Sequence, residues 1–236
     1  KKAAIFGGTG FIGRELAREL AERGDEVAIV SRRPAPGGGD GPFRRLTWRE
    51  LEEDPALLEG YDAFVNQAGE TINQRRTEKA KRRILDSRVD AARRVAVLVS
   101  RLRRKPEAVL NGSGMSVYGQ SETETFDEDS PPRPADFLAR TVIDWGKAVD
   151  GIRGVRLVKL RIGLVLGGQR VLPRRIMEHG CAFRFPTIEE AVGDLLQKPK
   201  RPQNKLQGAT GPPASASCCR ITSFMTAMNA SADLGK

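Results

Sequence analysis

This chain of 236 residues has one histidine, three cysteines and two tyrosines. Cys181, Cys218 and Cys219 are too few and too oddly placed for a disulfide framework, and they show no metal-ligand spacing with His179. They read as free thiols, which excludes a disulfide-stapled fold, and no metal site is expected. His179 lies in EHGCAF, just before a glycine, and reads as the end of a helix rather than as a catalytic base. Long apolar runs are missing too. None approaches the roughly 18 residues that span a bilayer, and the N-terminus lacks the charged and apolar regions of a signal peptide. No membrane partner and a cytoplasmic location are therefore expected.

The 39% apolar content is enough for a proper core. The formal net charge of +10 is unevenly spread: residues 75–105 hold thirteen Lys and Arg against three acids, so the rest of the chain is balanced. Thirteen cations raise the possibility of polyanion binding, because neutralising phosphates releases counterions. The segment has no aromatic residue for base stacking and no zinc spacing, so a solvated helix face is the preferred reading and no nucleic-acid partner is expected.

KKAAIF is a short apolar run that ends at glycines. A helix follows, with Ile12, Leu16 and Leu20 on one face and Gly24 as its stop. EVAIVS (26–31), FRRLTW, YDAFVN (ending at Asn66), AVLNGS (108–113) and VRLVKLRIGLVL read as strands. Helices are expected from Thr77 to about Leu102, where Ile84, Ala91, Val95, Leu98 and Leu102 recur at helical spacing, and over DFLARTVIDWGKAV. Strands alternating with helices imply an α/β fold with a doubly wound parallel sheet.

GGTGFIG, comprising Gly7, Gly8, Thr9, Gly10, Phe11, Ile12 and Gly13, lies between the first strand and the first helix. Glycines there permit a tight turn and close backbone approach, and a helix N-terminus presents N–H groups and a positive dipole to a pyrophosphate. The end of the second strand reports which dinucleotide fits. An acidic residue would take the 2′-hydroxyl of NAD(H), whereas Ser31, Arg32 and Arg33 supply a hydroxyl and two guanidinium groups suited to a 2′-phosphate. NADP(H) is favoured over NAD(H).

These motifs, with NQAGE (66–70), DSR (86–88), NGSGMSVYG (111–119), the acidic loop and helix at 125–145, and LRIGLVLG (160–167), resemble the "epimerase family protein" group of atypical extended short-chain dehydrogenase/reductases, within the NAD-dependent epimerases/dehydratases. The resemblance runs in order over residues 3–167. It implies a Rossmann-like domain with helices on both faces of the sheet, and redox or epimerase-type chemistry on an unknown small molecule. It also implies that Gly7, Gly10, Phe11, Ile12 and Gly13 hold the pyrophosphate, and that Ser31 and Arg32 hold the adenosine phosphate. Gln67, Ala68, Gly69 and Glu70 would line the cofactor, with Arg88 reaching it from the basic helix. Gln67 departs from the family's leucine.

The Tyr-x-x-x-Lys pair of the wider superfamily cannot form here, because the only tyrosines are Tyr61 and Tyr118 and the relevant helix offers Phe137, Leu138 and Arg140. Ser113, Ser116 and Tyr118 are candidate catalytic groups, and strand-end hydroxyls with a packed ring are the alternative reading. Two functional readings therefore stand: an enzyme, or a nucleotide-binding module without turnover. The resemblance also suggests that Gly167-Gly168 is a seam rather than a turn. Residues 1–167 would be the nucleotide-binding domain, 168–196 the far end of a largely missing substrate domain, and 197–236 a disordered tail. Apolar surface exposed by such a loss would favour pairing, so a homo-oligomer is an open expectation.

Overall fold

A computed structural model describes residues 1–34, 42–121, 123–163, 170–180 and 231–234. The Gly167-Gly168 junction and nearly all of the expected tail lie outside the described residues.

The first strand, β1 (Lys2–Phe6), leads through the glycine loop into α1 (Phe11–Glu22), and then into β2 (Glu26–Ser31). The α1 stop is as expected, with Gly24 at a φ of 88°. That left-handed conformation suits a residue without a Cβ. β3 (Arg44–Thr47) is shorter than the FRRLTW run, because Trp48 opens a helix, α2 (Trp48–Glu53). A capping box starts it: the Thr47 hydroxyl accepts from the Glu50 N–H, and the Glu50 carboxylate accepts from the Thr47 N–H at 2.6 Å. β4 (Ala63–Asn66), α3 (Glu78–Arg101, capped by Thr77) and β5 (Ala108–Gly114) follow. β6 (Thr125–Phe126), α4 (Phe137–Lys147, capped by Asp136), β7 (Arg156–Ile162), β8 (Arg170–Val171) and α5 (Arg174–Glu178) come next, with His179 as the C-cap of α5. A last strand, β9, spans Ser231–Leu234.

The main sheet runs β3-β2-β1-β4-β5-β7-β9, parallel throughout except for antiparallel β9 at its edge. Both faces are covered, as parallel strands require. Alternate residues of β1 show this: Ala3 and Ile5 pack with Ala17 and Leu20 of α1, whereas Ala4 and Phe6 face the core under α2, α3 and α4. That larger core centres on Phe6, whose ring lies 5.0 Å from Trp48 and 5.4 Å from Phe64. Ala91, Val95 and Leu98 of α3 and Leu102 at its end are buried in it, and Ile84 is buried as well, outside that cluster. The result is a Rossmann-like sheet with helices on both faces.

The β6–β8 pair forms a small separate sheet whose core is Met115, Val117, Tyr118, Phe126 and Val171. It sits beyond the C-terminal end of β5, joined to the carboxyl edge of the main sheet.

Candidate functional site

The carboxyl ends of β1, β2, β4 and β5 converge where the order of strands reverses about β1, the place at which open parallel sheets bind ligands. Three of the four glycines in GGTGFIG meet three different constraints. Gly7 has a φ of 82°, and a Cβ on it would lie 2.7 Å from the Ala68 backbone. A Cβ on Gly13 would lie 2.5 Å from the Gly7 carbonyl oxygen and 2.6 Å from the Gly8 Cα, so α1 packs directly on the loop. A Cβ on Gly10 would meet only the Gly7 oxygen, at 3.3 Å. Its other side is open.

Gly10 is also the N-cap of α1. No side chain caps that end, and no acidic residue lies in the first turn. The first turn of a helix leaves N–H groups without intrahelical acceptors, and the dipole adds positive potential there. Thr9, Gly10 and Phe11 are exposed at this end, while Ile12 is half-buried against the sheet. The cradle has the shape and polarity for a pyrophosphate.

At the end of β2, the Ser31 hydroxyl donates to the Arg33 carbonyl at 2.6 Å, which shapes the turn. Arg32 and Arg33 are exposed. The Arg32 guanidinium stands 4.0 Å from the Glu70 carboxylate. Arg32 and Glu70 therefore bracket one side of the cleft from two different strands.

The β4 loop is held from three directions. The Gln67 N–H donates to the Phe6 carbonyl at 2.8 Å, fixing the chain against β1. The Glu70 N–H donates to the Ser87 hydroxyl at 2.9 Å, and the Arg88 guanidinium donates to the Glu70 carbonyl at 2.9 Å. Arg88 also donates to the Ile84 carbonyl, lies over the Trp145 ring at 5.4 Å and packs against Gly69, where a Cβ would come within 3.0 Å of it. Half-burial of the guanidinium lowers its pKa, and nearby Glu70 partly offsets this. The DSR motif thus acts on the cleft by clamping the 66–70 loop to α3.

Beneath the loop lies a pair of fully buried amides that sequence reading did not single out. The Asn66 Nδ2 donates to the Asn111 Oδ1 at 2.7 Å, and the Asn66 Oδ1 accepts from the Ala68 N–H. The two asparagines are register partners on β4 and β5. The signal was an asparagine closing YDAFVN and another following the apolar residues of AVLNGS. The Gln67 side chain points its Oε1 toward Gly112, where a Cβ would come within 2.9 Å.

Ser113 is buried at the end of β5, and Ser116 is half-buried in the single 3₁₀ turn Met115–Tyr118. The Tyr118 ring has no exposed surface. It stacks on Phe126 at 5.4 Å, and its hydroxyl accepts a hydrogen bond from buried Arg161. Arg161 also donates to the Glu128 carbonyl at 3.2 Å. The three candidate catalytic groups thus share one neighbourhood, with Tyr118 in its interior. Among the described residues, no group of His, Cys, Asp and Glu could hold a metal, and no helix is long and apolar enough to cross a membrane.

Residues 3–155 match the NAD dependent epimerase/dehydratase family. The chain belongs to that family. Residues 157–195 match a domain of unknown function, DUF1731, which begins where the first match ends. The chain is 35% identical over 182 residues to the Bacillus subtilis epimerase family protein YfhF, covering 75% of this chain and 59% of the relative. It is 36% identical over 210 residues to the human epimerase family protein SDR39U1, covering 82% of this chain and 67% of the relative. A crystal structure of human SDR39U1 isoform 2 with NADPH is similar at a TM-score of 0.61 and 36% identity, over 71% of this chain and 56% of that one. The chain thus spans between about half and two thirds of the length of these relatives. The resemblance read from GGTGFIG, NQAGE, DSR and NGSGMSVYG is borne out, as is the Rossmann-like sheet.

Proposed function

We propose that the protein binds NADP(H) in the cleft at the carboxyl ends of β1, β2 and β4, and that it is an epimerase- or oxidoreductase-like member of its family acting on a small molecule. The observation that carries this reading is the open side of Gly10 at the uncapped end of α1, with Arg32 standing at the end of β2. The first fits a pyrophosphate and the second a 2′-phosphate. The human relative, solved with NADPH, supports the same cofactor.

In this reading Gly7, Gly8, Thr9, Gly10, Phe11, Ile12 and Gly13 form the phosphate cradle, and Ser31, Arg32 and Arg33 form the adenosine-phosphate subsite. Gln67, Ala68, Gly69 and Glu70 line the adjoining wall, and Arg88 holds that wall in place. The nicotinamide, when bound, supplies hydride transfer. Ser113 and Ser116 offer hydroxyls to a substrate carbonyl near the end of β5.

Titration calorimetry tests the assignment. NADPH is expected to bind at least about tenfold more tightly than NADH, and Arg32→Ala to erase most of that difference, because a charged hydrogen bond contributes roughly 1.5–3 kcal/mol. Equal affinities in the unmodified protein would refute the cofactor preference.

A second reading, nucleotide binding without turnover, is favoured by the interior position of Tyr118. A seam near Gly167-Gly168, with most of the substrate-binding segment missing there, belongs to this proposal; the two family matches meet at residue 156, and the second runs across those glycines. NADPH oxidation with a panel of carbonyl compounds separates the readings. Consumption above the rate without carbonyl supports the enzyme, and tight binding with no consumption supports the module.

A further inference from the structure

The charge surplus of residues 75–105 is not spread uniformly around α3. Beside α2 it borders a groove of about 180 Å³ with an apolar floor of Trp48, Leu51 and Leu98. Val97, a large aliphatic residue, is 57% exposed at its edge. Arg93, Arg94 and Arg101 form its rim, and Glu52 is the one carboxylate lining it.

That carboxylate is already engaged. The Arg94 Nε lies 3.2 Å from the Glu52 carboxylate, and the Arg94 guanidinium covers the Trp48 ring at 5.5 Å. Arg101 donates at 2.9 Å to the Glu52 backbone carbonyl, a neutral acceptor. Arg93 faces Asp90 only at 4.0 Å, a separation at which an exposed pair contributes little. Three guanidinium groups against Glu52 and Asp90 leave the rim with an excess of one positive charge. Arg82 and Arg83 continue the exposed basic stripe along the same helix, about 16 Å from Arg93 and Arg94 at 1.5 Å per residue.

An apolar slot with room for roughly one large side chain, rimmed by arginines, has a specific complement. We infer that this groove docks an acidic, amphipathic segment of a partner protein, one apolar side chain seated against exposed Val97 at its edge and flanking carboxylates paired with Arg93, Arg94 and Arg101. Charge complementarity selects this occupant. A second copy docking through the same face would oppose arginine to arginine, and nucleic acid would find Trp48 buried and unavailable for stacking. Arginine is among the residue types enriched where binding energy concentrates at protein interfaces.

The test uses the full chain and a labelled synthetic helical peptide of glutamates with leucines on one face, at about 0.15 M salt so that long-range attraction is screened. An all-glutamate peptide of equal charge, oligothymidylate and phosphatidylserine vesicles are the comparisons. The leucine-bearing peptide is expected to bind about tenfold more tightly than the all-glutamate one, and Val97→Asp and Arg93→Glu each to weaken it about tenfold. Both side chains are exposed, so the melting temperature should be unchanged and loss of fold cannot mimic the result. The inference is overturned if the two peptides bind equally, if neither binds, if both variants bind like the unmodified protein, or if oligothymidylate or the vesicles bind more tightly.

Discussion

Gly10→Val separates the cost of building the phosphate loop from the cost of using it. A Cβ at this position meets nothing closer than the Gly7 oxygen at 3.3 Å, and the backbone, with φ of −75° and ψ of 175°, is open to any residue. The folding penalty should be that of a poor N-cap, about 1 kcal/mol, which lowers Tm by no more than about 4 °C in a chain of this size. Binding should suffer far more, because the added carbons occupy the space through which a phosphate reaches the helix N–H groups. Losing two hydrogen bonds to a charged group costs about 3–6 kcal/mol, or at least roughly a hundredfold in affinity. Gly13→Ala is the matched contrast. Its Cβ would lie 2.5 Å from the Gly7 oxygen and 2.6 Å from the Gly8 Cα, both backbone atoms that cannot step aside. It should lose stability whether or not a nucleotide is present. Calorimetric titration with NADPH and a thermal melt read the two quantities separately. Gly10→Val binding within about threefold of the unmodified protein, or Gly13→Ala melting with it, would refute the division of roles.

Three further outcomes are expected. Asn111→Leu leaves the buried Asn66 amide without its partner, which should cost about 2 kcal/mol and lower Tm by roughly 4–8 °C, measured by circular dichroism. Arg88→Lys keeps the charge but cannot reproduce the planar contact with Trp145 together with the two carbonyl bonds. Hydrogen exchange at the Glu70 amide should then speed up while the exchange of β1 amides stays slow. The third outcome concerns acid. The hydrogen bond from Arg175, aided by its charge, holds the Asp129 carboxyl below its ordinary value of 3.8. A depressed folded-state value means that its contribution is fully present above about pH 4 and is lost as pH falls through the folded pKa. Proteolysis near Arg174 and Arg175 should therefore increase below about pH 4, and Asp129→Asn should show that sensitivity already at neutral pH.

The parts of the fold set by local chemistry were readable from the residues. The GGTGFIG turn, the 3.6-residue period of α3 and the apolar runs of β1, β2, β4 and β5 each announce their conformation within a short window. α2 was missed because RRLTW looks like one apolar alternation, although Thr47 and Glu50 carry the spacing of a capping box that ends the strand. β6 and β8, at two residues each, are too short for any period to register. The site divided in the same way. Glycines and the Arg32 pair declared themselves, whereas the Asn66–Asn111 bond joins residues 45 apart and the Arg88–Trp145 stack joins two helices. Such contacts exist only once the sheet register brings their partners together. Tyr118 shows the converse: its place in the sequence suggested proton exchange, and only packing reveals that its hydroxyl is met by Arg161.

The position of β1 has a consequence in time. It pairs with β4 from Ala3 opposite Ala63 to Phe6 opposite Asn66, and Gly7 then rests on Ala68. The strand that carries the phosphate loop is therefore made before β4 and supported late. During synthesis at about 5–20 residues per second, roughly 3–12 s pass between the emergence of the glycine loop and that of the segment that backs it. Through that interval, the apolar run of β1 has only the elements up to α2 for company, and the long-range pairing with β4 must still overcome its loop-closure entropy. Nucleotide can bind only after that wait, so it should slow unfolding of the finished sheet and leave its first formation unhurried.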